Sequence, residues 1–488
     1  MAPTDEPSDD IHTIDFFRDD GAVADPYPYF DSLRTRCPVL REPHHDVVMV
    51  TGYDEMAEVA QDSKTFSACV SVTGPFPGFP VPLEGDDVSG LIERHRDELP
   101  MSDQLPTLDP PVHTAHRALR MRLITPKRLK QNEEAVGEIA DRMLDTFLAR
   151  GEGEFISEFA GPFTLLVIAD LLGVPEEDRE EFLDRLQRRP RAGGGIGSTG
   201  EGAMAHSPLE FLYGRFADYI EDRRRQPRGD VLTGLATARF PDGSLPDVAD
   251  AVRVAANVFS AGQETTVRLL SSAFMLIAEH PDIQERLRAE RGLVPNFVEE
   301  VLRTESPLKG DFRLSRIPTT VGGVDIPAGT TLMLLNGAAN RDPRKFEDPA
   351  TFDPARPNAR HHLAFGRGIH TCPGAPAGAV EHGGAAALGE PPGERGESGG
   401  GGQERRRIGR VSQLLQDEGE LQRGRLKPAE LQTGLPLPVL WLGAHLGDRL
   451  THRAPQRPLL LVELELHARP PPSRRTSGNT RKTRMPLS

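Results

Sequence analysis

The sequence is poor in the features that mark secreted proteins and nucleic-acid binders. Its 488 residues contain three cysteines, Cys37, Cys69 and Cys372. Three scattered thiols cannot form a disulfide framework, so we expect a reducing, cytoplasmic environment. The formal net charge is −15. Since affinity for phosphate comes from lysine and arginine, this charge argues against a nucleic-acid partner.

Targeting and membrane signals are also missing. The first thirty residues are acidic and rich in proline, without the basic start and apolar centre of a signal peptide. Because the sequence has no run of about 18 uncharged apolar residues, it predicts no membrane-spanning helix and no membrane partner. The glycine-rich stretch 193–200 lacks the lysine followed by serine or threonine of a phosphate-binding loop, so we interpret it as a connection between helices.

A glycine-rich loop, residues 365–374 with the sequence FGRGIHTCPG, contains the third cysteine. A cysteine thiolate is a strong ligand for iron, and glycines allow the backbone to pass close to a flat cofactor. A lone free cysteine is more often a small buried apolar residue, so the prediction depends on the spacing around it. Phe365 lies seven residues before Cys372, Gly368 four before and Gly374 two after.

This spacing resembles the haem-binding signature of the cytochrome P450 family, Phe-x-x-Gly-x-x-x-Cys-x-Gly. The resemblance implies a mainly α-helical fold with small β-sheets, haem b as cofactor and Cys372 as the iron ligand. It also implies haem contacts from Phe365, Gly366, His370 and Gly374.

A second motif lies in a periodic apolar pattern over residues 247–279, which predicts one long buried helix. The pattern contains the patch Ala-Gly-Gln-Glu-Thr-Thr at 261–266, where a mid-helix glycine costs about 1 kcal/mol relative to alanine. Thr265 could donate to the Ala261 carbonyl and open the helix locally. The patch is similar to the oxygen-activating segment of the same family. The resemblance implies Glu264 and Thr265 as the proton-relay acid and alcohol, with Ala261 and Gly262 beside the haem.

Further matches flank these two motifs. Aspartate before two prolines at 109–111 predicts a helix start, and His113 and Arg117 then share one helical face. Such a pair is in general an exposed cationic face, but the segment resembles the family's haem-carboxylate helix. The resemblance gives Arg313 the same role.

Three other residues match a structural element of the family. Glu300 and Arg303 lie three residues apart on a predicted helix, which alone is uninformative. The resemblance implies that both join Arg356 in a buried ion network behind the haem.

The proline- and glycine-rich stretch 73–99 predicts an irregular segment that carries Phe76 and Phe79. The resemblance implies that this loop covers the substrate, which we expect to be a hydrophobic small molecule. The implied reaction is oxygen insertion from O2, with electrons from a separate ferredoxin and ferredoxin reductase. A peroxide-using or isomerising haem-thiolate enzyme remains an alternative.

Agreement with the family ends at Pro376. Residues 377–488 contain no phenylalanine or tyrosine and are rich in glycine, proline and arginine, so they are not expected to build a packed domain. We therefore expect a haem-thiolate domain at 1–376 followed by an aberrant tail. Our hypothesis is a reading-frame shift near codon 377, since Ala-Gly-Ala codons displaced by one nucleotide can spell Leu-Ala-Arg, the family's continuation. The alternatives are a genuine extension, or a non-catalytic or misfolded haem-binding chain.

Overall fold

The computed structural model describes residues 13–19, 21–22, 25–121, 126–150, 153–186 and 207–375. The predicted connection at 193–200 and the predicted tail at 377–488 lie outside these residues. Within the described ranges the fold is mainly α-helical with small β-sheets, as the sequence predicts.

The helices are numbered here in chain order. The first are α1 (Tyr27–Arg36), α2 (Tyr53–Gln61), α3 (Ser89–His95), α4 (Val112–Met121), α5 (Pro126–Arg150), α6 (Gly161–Leu172) and α7 (Arg179–Leu186). The later ones are α8 (Ser207–Arg225), α9 (Val231–Ala236), α10 (Val248–Glu279), α11 (Pro281–Ala289), α12 (Val294–Thr304) and α13 (Asn336–Ala339). Short 3₁₀ turns include Arg96–Glu98, Ala359–His361 and Gly368–His370.

The long helix α10 lies at the centre of the helical part. The Asp247 side chain caps it by accepting from the Asp250 N–H at 2.6 Å, which satisfies one of the free donors of the first turn. Its apolar face packs against α6 and α8, where Phe216 and Phe259 are fully buried. The helix runs without a break through residues 261–266, so the predicted local opening is not observed.

The larger sheet joins segments from distant parts of the chain. Its strands are β1 (Val39–Arg41), β2 (Val48–Val50), β3 (Phe66–Ser67), β4 (Asp311–Ser315) and β7 (Thr331–Leu334), in the order β1-β2-β7-β4-β3. The β2–β7 pair is parallel and the other pairs are antiparallel. Strands β5 (Thr319–Val321) and β6 (Val324–Ile326) form a separate hairpin. This arrangement brings Arg313 on β4 towards the N-terminal elements.

One buried carboxylate connects the start of α4 to the rest of the fold. Asp109 accepts from the Ser67 hydroxyl at 2.5 Å and from the Ala68 N–H at 2.9 Å. It also pairs with Arg96 and Arg316, each at 2.7 Å. Four donors fix this residue, so the direction in which α4 leaves the loop is well determined.

The stretch 73–99 is not irregular throughout, and that part of the prediction is wrong. Helix α3 and the turn Arg96–Glu98 occupy its last third. Val88 and Ile92 lie one turn apart and are fully buried in the cluster that also holds Leu33 and Leu314. Tertiary packing of this apolar pair stabilises the helix, whereas the prolines that suggested a loop lie before it.

Among the helices of the described ranges, none is long and apolar enough to cross a bilayer.

Candidate haem site

The cysteine loop is closed by its own backbone. The Cys372 N–H donates to the Phe365 carbonyl at 2.8 Å. Gly366 and Gly368 have φ values of +67° and +70°, a region that residues with a Cβ rarely adopt. A side chain at Gly368 would also collide with the backbone of Ala60 in α2. The backbone conformation at Gly366 and Gly368, together with the close contact at Gly368, explains why glycine occupies these two positions.

The thiol of Cys372 is 3% exposed, and its Sγ accepts a hydrogen bond from the Gly374 N–H at 3.1 Å. Burial raises the pKa of this thiol to about 11, while the Gly374 N–H, Arg120 and Arg117 act in the opposite direction. Iron binding removes the proton from a coordinating thiol outright. The site thus holds the sulfur in a dry place with donors and cations that favour its anionic form.

Helix α4 lies along this loop. The His113 and His370 rings are 4.3 Å apart between centroids, and Arg117 donates from Nη2 to the Thr371 carbonyl at 2.5 Å. Burial lowers the pKa of His113 to about 4, and burial is also the main reason that the pKa of His370 lies well below its usual value. Both rings are therefore neutral near pH 7.

An open pocket lies beside the loop. Its lining includes Met56, Leu308, Arg313, Leu334, Ala364, Phe365, Gly366, His370 and Cys372. Arg313 is 4% exposed and donates from Nη1 to Asp311 Oδ2 at 3.0 Å and to the Phe312 carbonyl at 2.7 Å. The cavity therefore brings together five of the residues predicted to contact the cofactor: Arg313, Phe365, Gly366, His370 and Cys372.

Two polar side chains of the patch on α10, those of Thr265 and Glu264, have protein partners. Thr265 is buried, and its Oγ1 donates to the Ala261 carbonyl at 3.0 Å, as predicted. Ala261 and Gly262 are buried beside it. Glu264 is ion-paired with Arg268 one turn later, and Arg268 Nη1 donates to the Pro307 carbonyl at 3.1 Å. The sequence motif did not predict this ion pair.

The predicted ion network behind the site is present. Glu300 is fully buried and accepts from Arg303 Nε and Nη2, both at 2.7 Å, and from Arg356 Nε at 2.9 Å. Arg303 also donates to the Pro349 carbonyl at 2.8 Å. The network ties α12 to the segment that leads into the cysteine loop, and its role is structural.

Sequence reasoning missed one residue of this region, Arg120. It lies on the same face of α4 as Arg117, three residues later, and is 1% exposed. The signal was its helical spacing from Arg117, but spacing alone does not distinguish a buried arginine from an exposed one.

The residues present fit a haem. His113 Nε2, His370 Nε2 and two nitrogens of Arg120 are buried and have no hydrogen-bond partner within the described part of the chain. Buried polar atoms are normally paired, so a cluster of unpaired nitrogens that includes the Arg120 cation, beside a buried thiol, suits an anionic cofactor.

Comparison with known proteins gives the same answer. Residues 221–383 match the model of the family described as cytochrome P450. Cytochrome P450 144 of Mycobacterium tuberculosis is 33% identical over 72% of this chain and 79% of that protein. The chain belongs to the cytochrome P450 family. Proteins of this family bind haem b, and when bound, a thiolate-ligated haem supplies the iron centre at which molecular oxygen is activated. The protein is therefore an oxidoreductase that incorporates molecular oxygen.

Two further P450s are also similar to this chain. The 6-deoxyerythronolide B hydroxylase of Saccharopolyspora erythraea is 32% identical over 76% of this chain and 89% of that protein. The substrate-free structure of Mycobacterium marinum CYP150A6 superposes with a TM-score of 0.70 and 54% identity, covering 76% of this chain and 87% of that one. The predictions of family, fold class, cofactor and enzyme class are thus confirmed.

Proposed function

We propose that this P450 inserts one oxygen atom from O2 into a hydrophobic small organic substrate, with Cys372 as the residue that would ligate the iron. The observation that carries the proposal is the position of the Cys372 thiol, buried in the wall of a cavity beside unpaired donors of α4. The second oxygen atom is reduced to water with two electrons and two protons.

The substrate class is supported by the apolar part of the cavity wall, which includes Leu308, Leu334 and Ala364. Relatives are consistent with it: one is named a 6-deoxyerythronolide B hydroxylase, and a Bacillus megaterium P450 with 28% identity was solved in complex with testosterone. Phe76 and Phe79 lend it less support, because Phe76 packs against Phe17 and His45, and Phe79 packs against His95.

Residues around the cavity have distinct roles in this proposal. His113, Arg117 and Arg313 hold the haem carboxylates, and Phe365, Gly366, His370 and Gly374 shape the loop against the macrocycle. Ala261 and Gly262 allow close approach of α10. Thr265 and Glu264 deliver protons to the oxygen side, which requires Glu264 to exchange its Arg268 partner for water.

Bacterial relatives receive electrons from redox partners, and we propose a ferredoxin with its reductase for this chain. Arg367, in the cysteine loop, is exposed, and its positive charge suits an acidic ferredoxin. Arg367→Glu should slow electron transfer at low salt. Arg239→Glu, at an exposed arginine in the segment between α9 and α10, is the matched control.

We further propose that residues 1–376 form the haem domain. The family match extends to residue 383, seven residues beyond that boundary. Sequencing the gene tests the frame-shift hypothesis, because a neighbouring frame that encodes no Leu-Ala-Arg continuation after Pro376 would contradict it.

The full-length protein, loaded with haem, tests the function. Its reduced carbon-monoxide complex should show the long-wavelength Soret band of thiolate-ligated haem, and hydrophobic compounds should be screened by their spectral shifts. Turnover with ferredoxin, reductase and ¹⁸O2 should place one labelled atom in the product. A chain without the thiolate band would be the non-catalytic alternative, and oxygen-independent product formation with peroxide would favour the peroxide-using one.

A further inference from the structure

Arg120 is a buried cation that protein groups leave uncompensated. It is 1% exposed, and neither Nε nor Nη2 has a hydrogen-bond partner among the residues that the structure describes. Removing a guanidinium from water costs several kcal/mol unless an anion or acceptors replace the water. The expected partner is therefore an anionic group that forms only when the cofactor is bound.

Another buried arginine shows how this fold ordinarily treats such a group. Arg223 is 4% exposed and donates from Nη1 to Asp222 Oδ2 and from Nε to Asp230 Oδ2, each at 2.9 Å. Arg120 has no carboxylate in a comparable position within the described ranges. The two arginines have similar burial, so the difference lies in the charge that each one faces.

The register of α4 against the cysteine loop indicates which anion Arg120 faces. Residues 113, 117 and 120 follow the i, i+4, i+7 spacing of one helical face. His113 contacts His370, and Arg117 donates to the carbonyl of Thr371. Arg120 is the next residue on this face of α4 after Arg117, and Cys372 is the next residue of the loop after Thr371.

The electrostatics agree with this register. After burial, which lowers the pKa of Arg120 to about 10, its largest interaction is with Cys372, and Arg117 is the smaller, like-charged neighbour. From the side of the sulfur, Arg120 is a stronger influence than Arg117. Arg120 stays protonated near pH 7, while the Arg117 guanidinium already serves the Thr371 carbonyl.

We propose that Arg120 is the buried counter-charge of the Cys372 thiolate, a positioning residue that stabilises thiolate ligation and raises the reduction potential of the iron. The proposal rests on Cys372 being the ligand, as proposed above. A fixed positive charge beside the sulfur favours the added electron of the reduced state. In a dry site that effect is not screened by solvent.

The test compares full-length, haem-loaded wild type with Arg120→Met and Arg120→Lys in a spectroelectrochemical titration. Arg120→Met should shift the one-electron equilibrium about tenfold towards the oxidised form, which corresponds to about 59 mV. It should also convert part of the reduced carbon-monoxide band from the thiolate to the thiol form. Arg120→Lys should retain most of both properties because it keeps the charge.

Arg223→Met is the matched control, since it removes a buried arginine that is paired with carboxylates elsewhere. It should lower thermal stability and leave the potential unchanged. Equal potentials in wild type, Arg120→Met and Arg120→Lys would make Arg120 a packing residue and overturn the inference. Should Arg120→Met fail to fold, Arg120→Gln provides the neutral variant. Absence of the thiolate band in wild type would instead reject Cys372 ligation itself.

Discussion

The cysteine region, formed by α4 and residues 365–374, differs from the oxygen region, formed by residues 261–268 of α10. In the cysteine region, His113, His370 and Arg120 keep buried nitrogen atoms without a partner in the described chain. In the oxygen region, Thr265 is bonded to Ala261, and Glu264 is paired with Arg268. The first region therefore has buried polar atoms that suit a charged group, whereas the two side chains proposed to relay protons in the second are already bonded to protein groups.

We therefore expect substitutions in the cysteine region to change haem ligation. Substitutions in the oxygen region should instead change the turnover that follows haem binding. Substitutions in the buried ion network of Glu300, Arg303 and Arg356 should change only the stability of the fold.

The largest effect is expected for Cys372→Ser, which removes the thiolate. The long-wavelength carbon-monoxide band and oxygen insertion should both be lost. Cys69→Ser is the matched control. Burial also raises the pKa of the Cys69 thiol to about 11, but this thiol contacts Ser67 and does not line the cavity. A thiolate band that survives Cys372→Ser would contradict the assignment of the ligand.

The next largest effect is expected for Glu300→Ala. It leaves Arg303 and Arg356 buried without their shared carboxylate, and breaking such a network costs about 3–5 kcal/mol. Chemical unfolding of the variant should show this loss. A folded variant with unchanged stability would contradict a structural role, and Glu285→Ala on the exposed part of α11 should change stability by less than about 0.5 kcal/mol.

A smaller effect, on coupling, is expected for Thr265→Ala. Haem binding and the carbon-monoxide band should persist, while oxygen insertion falls about a hundredfold, the lower range for loss of a proton-transfer group. The electrons that no longer drive oxygen insertion should then reduce O2 to hydrogen peroxide. Ser271→Ala removes the same kind of bond, from Ser271 Oγ to the Val267 carbonyl at 2.8 Å, and should leave coupling intact. Full coupling in Thr265→Ala would contradict a proton-relay role for Thr265.

The smallest effect is expected for Arg268→Met. The substitution removes the i, i+4 ion pair with Glu264, worth about 0.2–0.5 kcal/mol, and the bond to the Pro307 carbonyl, worth about 1 kcal/mol, so thermal stability should fall slightly. Loss of the Arg268 charge should alter the solvent isotope effect on turnover if Glu264 relays protons. An unchanged isotope effect would show that Glu264 does not relay protons.

Local patterns in the sequence predicted the features that depend on nearby residues. The bounds of α10 and the bond from Thr265 to Ala261 follow from periodicity and local hydrogen bonding. Helix α3 was missed because burial of Val88 and Ile92 is a tertiary property. The Glu264–Arg268 pair was missed because a family motif says nothing about the residue one turn later.

By itself, the sequence determined the family, the cofactor and the expected iron ligand, because a glycine-rich loop around Cys372 has few other uses and its residues are contiguous. Only the tertiary structure decided the surroundings of that ligand. Arg117 meets Thr371 across 254 positions of the chain, and Arg120 is buried next to it. Whether an arginine is a solvated surface charge or a buried counter-charge depends on what packs over it, and no spacing along one helix contains that information.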